Sequence, residues 1–261
     1  MPGADITPVV LTRDEEDNLG RTLDALGWAT RVLVMDSGST DRTRSIAEAY
    51  PNVIFVVRPF AGHGDQWNAA VRHEAVTTHY VLALDADMSP EPGLVEEMDA
   101  RVVGPGRAGA SMRFLYRVGG KNLLGSLYPA QMRLFRRDAV RVGQAGHTHT
   151  FEVSEAPVRL RHRLVHDDRK PWERFVASQV GYAQREHARI VAGRDLRFRD
   201  RLRKLGWTPP LIGTLAWLKA GGPLKGRAAI RYAHERALYE TLLTLRLAAP
   251  ADEGSPPERA S

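Results

Sequence analysis

Two aspartates one residue apart, Asp85 and Asp87, close the apolar run VLALDADMSP at residues 81–90. Burying a carboxylate without a partner is costly, and two neighbouring carboxylates repel. At the end of a strand the side-chain period is two, so both can face the same way. Hard oxygen ligands at that separation suit Mg²⁺ or Mn²⁺, with a diphosphate completing the coordination sphere. The bland alternative is a pair of solvated turn acids, and a bare Asp-x-Asp has many false positives. A second candidate lies in VLVMDSGSTDRT at 32–43, where an apolar run delivers Asp36 to its end and Ser-Gly-Ser-Thr turns into a helix capped near Thr40 or Asp41. An acid there can accept the imide N–H of a uracil ring or a ribose hydroxyl. Taken alone it reads as well as a capping loop. The Gly-x₄-Gly-Lys pattern of a phosphate-cradling loop is absent.

The elements that must position these acids alternate along the first hundred residues. Strands are expected at 6–12, 31–37, 53–57 and 80–85, and helices at 14–28, 39–50, 65–76 and 91–102. Such alternation predicts a mostly parallel α/β sheet flanked by helices. Ligands bind such sheets at the carboxyl ends of the strands. Residues 12–15, 36–41 and 85–87 fall at those ends, which is the structural reason to read them as one site. Beyond residue 105 the pattern becomes mixed, with strands expected at 109–118, 130–140 and 156–168, the last ending at His166. A helix is expected at 172–191, and the small, polar, Pro-containing tail 250–261 reads as disordered.

Charge is divided unevenly. Residues 158–247 hold 20 Lys/Arg and 8 Asp/Glu, and the remainder holds 17 and 23. The acidic front suits a metal site, and the basic back suits an anionic lipid, phosphorylated glycan or nucleic acid. The 261 residues contain no cysteine, which excludes disulfides and thiolate metal sites. The N-terminus lacks a basic region followed by an apolar run, and no apolar run reaches the length of a membrane span.

In order and spacing, VVLTRDEEDNLGRTLDAL, VLVMDSGSTDRT and VLALDADMSPE resemble family 2 glycosyltransferases of the GT-A fold. LYPAQMRLFRRDAV, RLVHDDRKPWERFVASQVGYAQREHARI and GGPLKGRAAIRYAHERALYETL resemble the branch that contains the lipopolysaccharide inner-core β-glucosyltransferases. The resemblance spans about residues 5–247. It implies a GT-A catalytic domain over 1–170, with its nucleotide-binding part at about 5–104 and its acceptor part at about 105–170. A helical basic region over 171–249, associated with acceptor and membrane, and the tail 250–261 complete the chain. It implies that Thr12 and Glu15 hold uridine, Asp36 meets the uracil, Asp85 and Asn68 bind the nucleotide sugar, and Asp87 with His166 binds a divalent cation, Mg²⁺ or Mn²⁺. Asp167 or Asp168 could orient the His166 imidazole. Two residues depart from the pattern: Asp14 stands where Asn is usual, and Trp67 where Lys or Arg usually precedes Asn68.

Inverting transfer needs a group to take the acceptor hydroxyl proton. GHTHTFEV at 146–153 is the expected region, with His147 preferred, Glu152 as the rival and Asp168 next. The segment RDLRFRDRLRKLGW at 194–207 interleaves Arg with Leu and Phe, the pattern of an interfacial helix on anionic headgroups, or of a solvated helix face. The expected enzyme moves a hexose, glucose first, from a UDP-sugar to a glycan or lipid-linked glycan acceptor such as the lipopolysaccharide core. Its expected place is cytoplasmic, peripheral on the cytoplasmic face of the inner membrane. A nucleotidyltransferase would need a Gly-rich basic loop where the acidic VVLTRDEEDNLG stands. A nucleic-acid-binding protein would leave Asp85 and Asp87 without purpose, and no nucleic acid is expected as a partner.

Overall fold

The computed structural model describes residues 2–145, 148–193 and 198–249. His147, residues 194–197 of the basic segment and the tail 250–261 lie outside them. The chain divides into two compact units, Met1–Lys170 and Pro171–Ser261.

In the first unit, β1 (Ile6–Thr12), β2 (Val32–Asp36), β3 (Val53–Val57) and β4 (Tyr80–Asp85) pair in parallel in the order β4-β1-β2-β3. Helices α1 (Leu19–Asp24), α2 (Thr43–Glu48) and α3 (His63–Arg72) join them, and α4 (Leu94–Met98) follows, extended by a π-helical turn over Asp99–Val103. The central strands are apolar along nearly their whole length because both faces are covered. Val10, Val34, Leu82 and Leu84 pack on one face with Leu19, Leu23 and Leu94. Val9, Leu33, Met35, Val81 and Ala83 pack on the other with Trp67, Ala70 and Val71.

Register decides where the acids go. Thr12 pairs with Asp36 across β1 and β2, and Leu11 pairs with Asp85 across β1 and β4. Thr12, Asp36 and Asp85 therefore share one carboxyl edge. The helix expected from residue 14 begins only at Leu19. Asp14 has φ +53°, and the amides of Asp14, Glu15 and Glu16 donate to the side chains of Ser39, Thr43 and Asp41. Those donors are spent across the sheet edge rather than on a helix.

The remaining strands are β5 (Met88–Pro90), β6 (Gly109–Met112), β7 (Phe114–Val118), β8 (Lys121–Asn122), β9 (Gln131–Arg136), β10 (Arg141–Ala145), β11 (Thr148–Glu152), β12 (Val158–Arg159) and β13 (Leu164–His166). Strand β9 runs antiparallel between β4 and β6, giving a seven-stranded sheet ordered β12-β6-β9-β4-β1-β2-β3. A second sheet has the order β5-β13-β7-β8, and β10 and β11 form a hairpin. The single strands expected at 109–118 and 156–168 are each broken in two. β6 and β12 stay in the large sheet, and β7 and β13 cross to the small one. The breaks coincide because partner strands bend together: β12 pairs with β6, β13 pairs with β7, and the Leu164 N–H donates to the Arg113 carbonyl (3.1 Å). That keeps the backbone hydrogen bonds made through the bend.

The second unit is helical among its described residues: α5 (Trp172–Val191), α6 (Phe198–Lys204), α7 (Thr208–Ala220), α8 (Gly222–Lys225) and α9 (Arg227–Ala248). Arg203, part of the segment expected to face headgroups, is instead buried. It pairs with Glu186 (2.9 Å), Asp200 (2.9 Å) and Glu240 (2.8 Å). Burying a guanidinium requires such partners.

Trp67 has no exposed surface and packs edge-on against Phe151, with ring centroids 5.3 Å apart. The position that carries a cation in the resembled pattern is here part of the apolar core. Trp67→Ala should destabilise the protein by about 3–5 kcal/mol, the usual range for emptying a core aromatic site, read as a lowered denaturant midpoint at unchanged slope.

Candidate active site

The carboxyl edge holds three aspartates in three different states. Asp36 is 2% exposed and its carboxylate is saturated. It accepts from Thr12 Oγ1 (2.8 Å), Ser39 Oγ (2.5 Å), Gly38 N (2.8 Å) and Ser39 N (2.7 Å). Gly38 has φ +90°, which a side chain would disfavour, and this conformation lets consecutive amides point at one carboxylate. Asp36 therefore shapes the loop above β2 rather than presenting a free acceptor. Thr12 is likewise committed to Asp36.

Asp14 answers one of the sequence departures. Its Oδ1 accepts from the Thr40 amide (2.8 Å) while its backbone is left-handed. Asn and Asp are the two side chains that combine tolerance of that conformation with such an acceptor. Asp here keeps the geometry that Asn would supply.

Asp85 keeps a 43% exposed side chain, although protein walls it on several sides, and its Oδ2 lies 3.2 Å from Arg133 Nη2 on β9. Burial opposes its charge, but Arg133, His149 and His166 together outweigh that and hold its pKa below the ordinary value. Arg133 is only 5% exposed, donates also to Gln131 Oε1 (2.9 Å) and lies over the Phe114 ring.

Asp87 is the least compensated. Its Oδ1 is buried with no hydrogen-bond partner among the described residues, and its Oδ2 lies 3.5 Å from His166 Nε2. Burial raises its pKa, with Asp85 and Asp168 adding repulsion and His166 and Lys170 only partly offsetting it. The neighbour arrives through pairing: β13 runs antiparallel to β5 with His166 opposite Met88, and the Asp167 N–H donates to the Asp87 carbonyl (3.0 Å). The His166 ring stacks on Tyr116 at 4.5 Å, which sets its plane. An orphaned buried carboxylate oxygen beside an imidazole nitrogen fits a divalent cation. Among the described residues no three His, Cys, Asp or Glu gather as a metal cage. Protein ligands here number two, and the rest of a coordination sphere would come from water or a diphosphate.

Sequence reading missed the residues that tie these loops together. Asn18, 1% exposed, donates to Glu15 Oε2 (3.0 Å) and Asp168 Oδ1 (2.9 Å) and accepts from the Arg169 amide. Lys170 Nζ lies 2.9 Å from Glu15 Oε1 and 3.7 Å from Asp168. Burial opposes the Lys170 charge, but Glu15, Asp87 and Asp168 outweigh it and raise its pKa. Asn18 looked like one helix residue among others, and Lys170 is distant in sequence from all but Asp168.

Of the other expected residues, Asn68 has both ends of its amide engaged, donating to the carbonyls of Gly64 and Val142 and accepting from Arg72. It ties α3 to β10. Glu152 is exposed on the face of β11 opposite Phe151. The residue on the Phe151 face is His149, whose ring lies 5.4 Å from Trp67 and 4.8 Å from Phe151. Period-two alternation puts His149 and Glu152 on opposite faces. Burial and the nearby Arg133 charge push His149 down to about 4, against an opposing pull from Asp85.

With this geometry in hand, the family model for glycosyl transferase family 2 matches residues 8–152, more than half of the chain. The chain belongs to glycosyl transferase family 2. Its mixed α/β architecture, with a mostly parallel sheet flanked by helices, is the GT-A fold of that family. An uncharacterized glycosyltransferase of Mycobacterium tuberculosis is 37% identical over 103 residues, covering 38% of this chain and 46% of the relative. A lipopolysaccharide core biosynthesis glycosyltransferase, LpsC of Rhizobium meliloti, is 25% identical over 100 residues, covering 37% of this chain and 36% of the relative. The matched stretch thus spans less than half the length of these relatives. Among solved structures, S. aureus TarS in complex with UDP-GlcNAc aligns with a TM-score of 0.45 at 13% identity, covering 92% of this chain and 90% of that one. The family match stops at residue 152, so His166, Asp168 and Lys170 join the site from beyond it.

Two outcomes are expected. Asp14→Asn should leave stability nearly unchanged, whereas Asp14→Ala, which loses the Thr40 partner and strains at positive φ, should cost about 1–2 kcal/mol in chemical denaturation. The His149 ring should titrate by NMR near 4. Below about pH 6.5 the unfolded chain takes up this proton and the folded chain does not. His149 thus contributes a stability that is complete above that pH and lost as pH falls towards 4, and His149→Phe should flatten that limb.

Proposed function

We propose that this enzyme transfers a hexose, glucose first, from a UDP-sugar to a lipid-linked glycan such as the lipopolysaccharide core, by single displacement with inversion. The observation that carries the reading is the buried, unpartnered Asp87 Oδ1 beside His166 at the carboxyl edge of the sheet. Family 2 enzymes of the GT-A fold generally use a divalent cation. Asp87 and His166 would hold Mg²⁺ or Mn²⁺ here, and that ion, when bound, offsets the charge that develops on departing UDP.

Each protein group then has a separable task. The loops at 12–16 and 36–43, cross-linked through Asp36 and Asp14, shape the uridine site. Asp85, its carboxylate steadied by Arg133 and still 43% exposed, accepts from ribose or sugar hydroxyls. Asn18 and Lys170 keep the His166 segment against the uridine loop. His149 is the group we assign to the acceptor proton. An imidazole whose pKa is about 4 is neutral at physiological pH and no more basic than a carboxylate, the group it would replace as base. The LpsC relative supports a core-glycan acceptor.

Calorimetry of UDP binding with and without Mn²⁺ tests the metal assignment. Asp87→Asn should remove the Mn²⁺-dependent gain in affinity, and an undiminished gain in the variant rejects it. His149→Asn should lower kcat by roughly two to four orders of magnitude at little change in donor KM, while Glu152→Gln stays near wild type. The reverse pattern would return the base to Glu152.

A further inference from the structure

The helical unit carries a surface that transfer chemistry does not use. Helix α7 (Thr208–Ala220) is apolar all round, with no charge before Lys219. A helix of that composition ordinarily has both faces covered. Its covered face consists of small residues. Ala216 and Ala220 are fully buried, and Gly213 lies so close to α9 that a Cβ there would sit 3.3 Å from the Ala237 methyl. Ile212 and Trp217 are half-buried, and the three leucines point the other way. Leu211, Leu215 and Leu218, spaced by helical turns, are 54%, 41% and 59% exposed. The adjoining Leu205, Trp207 and Leu224 are at least two-thirds exposed. Exposed apolar residues in such continuity mark an interaction surface.

The charge around this patch is one-sided. From Arg201 to His234 the chain holds seven Lys/Arg and no Asp or Glu. Arg203 is spent on its buried cluster and Arg231 on Glu235. Arg201, Lys204, Lys219, Lys225 and Arg227 pair with no carboxylate among the described residues. A second copy docked patch to patch would set cation against cation. An anionic bilayer supplies both missing partners, acyl chains for the leucines and headgroups for the cations.

We infer that the Leu211–Leu215–Leu218 face of α7, with Leu224 and Trp207 at its ends and the flanking lysines and arginines, is a docking surface for an anionic lipid bilayer. This deepens the membrane-linked acceptor proposed above, and its test reads lipid binding without any transfer. It centres the contact on α7 and keeps Trp207 of the 194–207 segment at its edge, while Arg203 of that segment faces inward. No described helix is long and apolar enough to cross a membrane, so the contact lies in the interfacial plane.

The full chain should co-sediment with vesicles of phosphatidylcholine and phosphatidylglycerol, and hardly with phosphatidylcholine alone. High salt should weaken the binding without abolishing it. Leu211→Ser combined with Leu218→Ser should lower vesicle affinity by about tenfold or more at both salt concentrations, with unchanged helical circular dichroism, melting temperature and UDP affinity. Lys219→Glu with Lys225→Glu should remove the salt-sensitive part. Equal affinity of the leucine variant and wild type overturns the inference, as does equal binding to neutral and anionic vesicles. A dimer in light scattering that the leucine variant converts to monomer would also overturn it, by assigning the face to a second copy. Loss of lipid binding together with UDP binding and melting temperature would overturn the docking role in favour of a structural one. Failure of the UDP and Mn²⁺ measurements alone would touch only the transferase reading.

Discussion

A carboxylate taken out of water has to be compensated, and the carboxyl edge of this sheet answers that demand in three ways. Asp36 is compensated completely by donors from its own loop and from Thr12. Asp85 is compensated by one guanidinium and remains partly open. Asp87 is compensated on one oxygen only. The gradient follows from what surrounds each: a tight turn after β2, the β9 neighbour beside β4, and the antiparallel β5–β13 pair beyond. The same residue type thus builds the walls of the site where its oxygens are saturated and leaves an oxygen unpaired where they are not.

The loops around that edge depend on one another. Residues 14–16 give their amides to side chains of residues 39–43, and Asp14 in return accepts from Thr40. Asn18 and Lys170 extend the tie to the segment after β13. A loop whose backbone donors are engaged by another loop cannot move alone. A loop pair held in this way needs no reordering when a ligand arrives, which lowers the cost of binding. Trp67 fills a core position on one face of the sheet and packs against Phe151 of the β10–β11 hairpin.

The two units use charge for different purposes. In the first, acids are concentrated at one edge. In the helical unit, Glu186, Asp200 and Glu240 turn inward to neutralise Arg189 and Arg203. The stretch from Arg201 to His234, which holds α7, contains no acid. Helix α7 can show leucines outward because Gly213, Ala216 and Ala220 let it pack on α9 through backbone proximity rather than through large side chains.

The parallel α/β sheet, the strands at 6–12, 53–57 and 80–85, and the clustering of Thr12, Asp36, Asp85 and Asp87 at one edge were legible in the sequence alone. They rest on local pattern: apolar runs of strand length, turn residues behind them, and helices between. The pairing of His166 with Asp87 was legible only through family resemblance, since 79 positions separate them. Tertiary structure decided the rest. That Asp36 is saturated depends on a glycine turn and on Thr12 arriving by strand register. That Glu152 and His149 part company depends on which face of β11 meets Trp67. That Arg203 turns inward while the α7 leucines turn outward depends on which helices pack. Composition gives each residue its chemistry, but only register and packing determine which partner stands opposite, and a buried charge is defined by its partner.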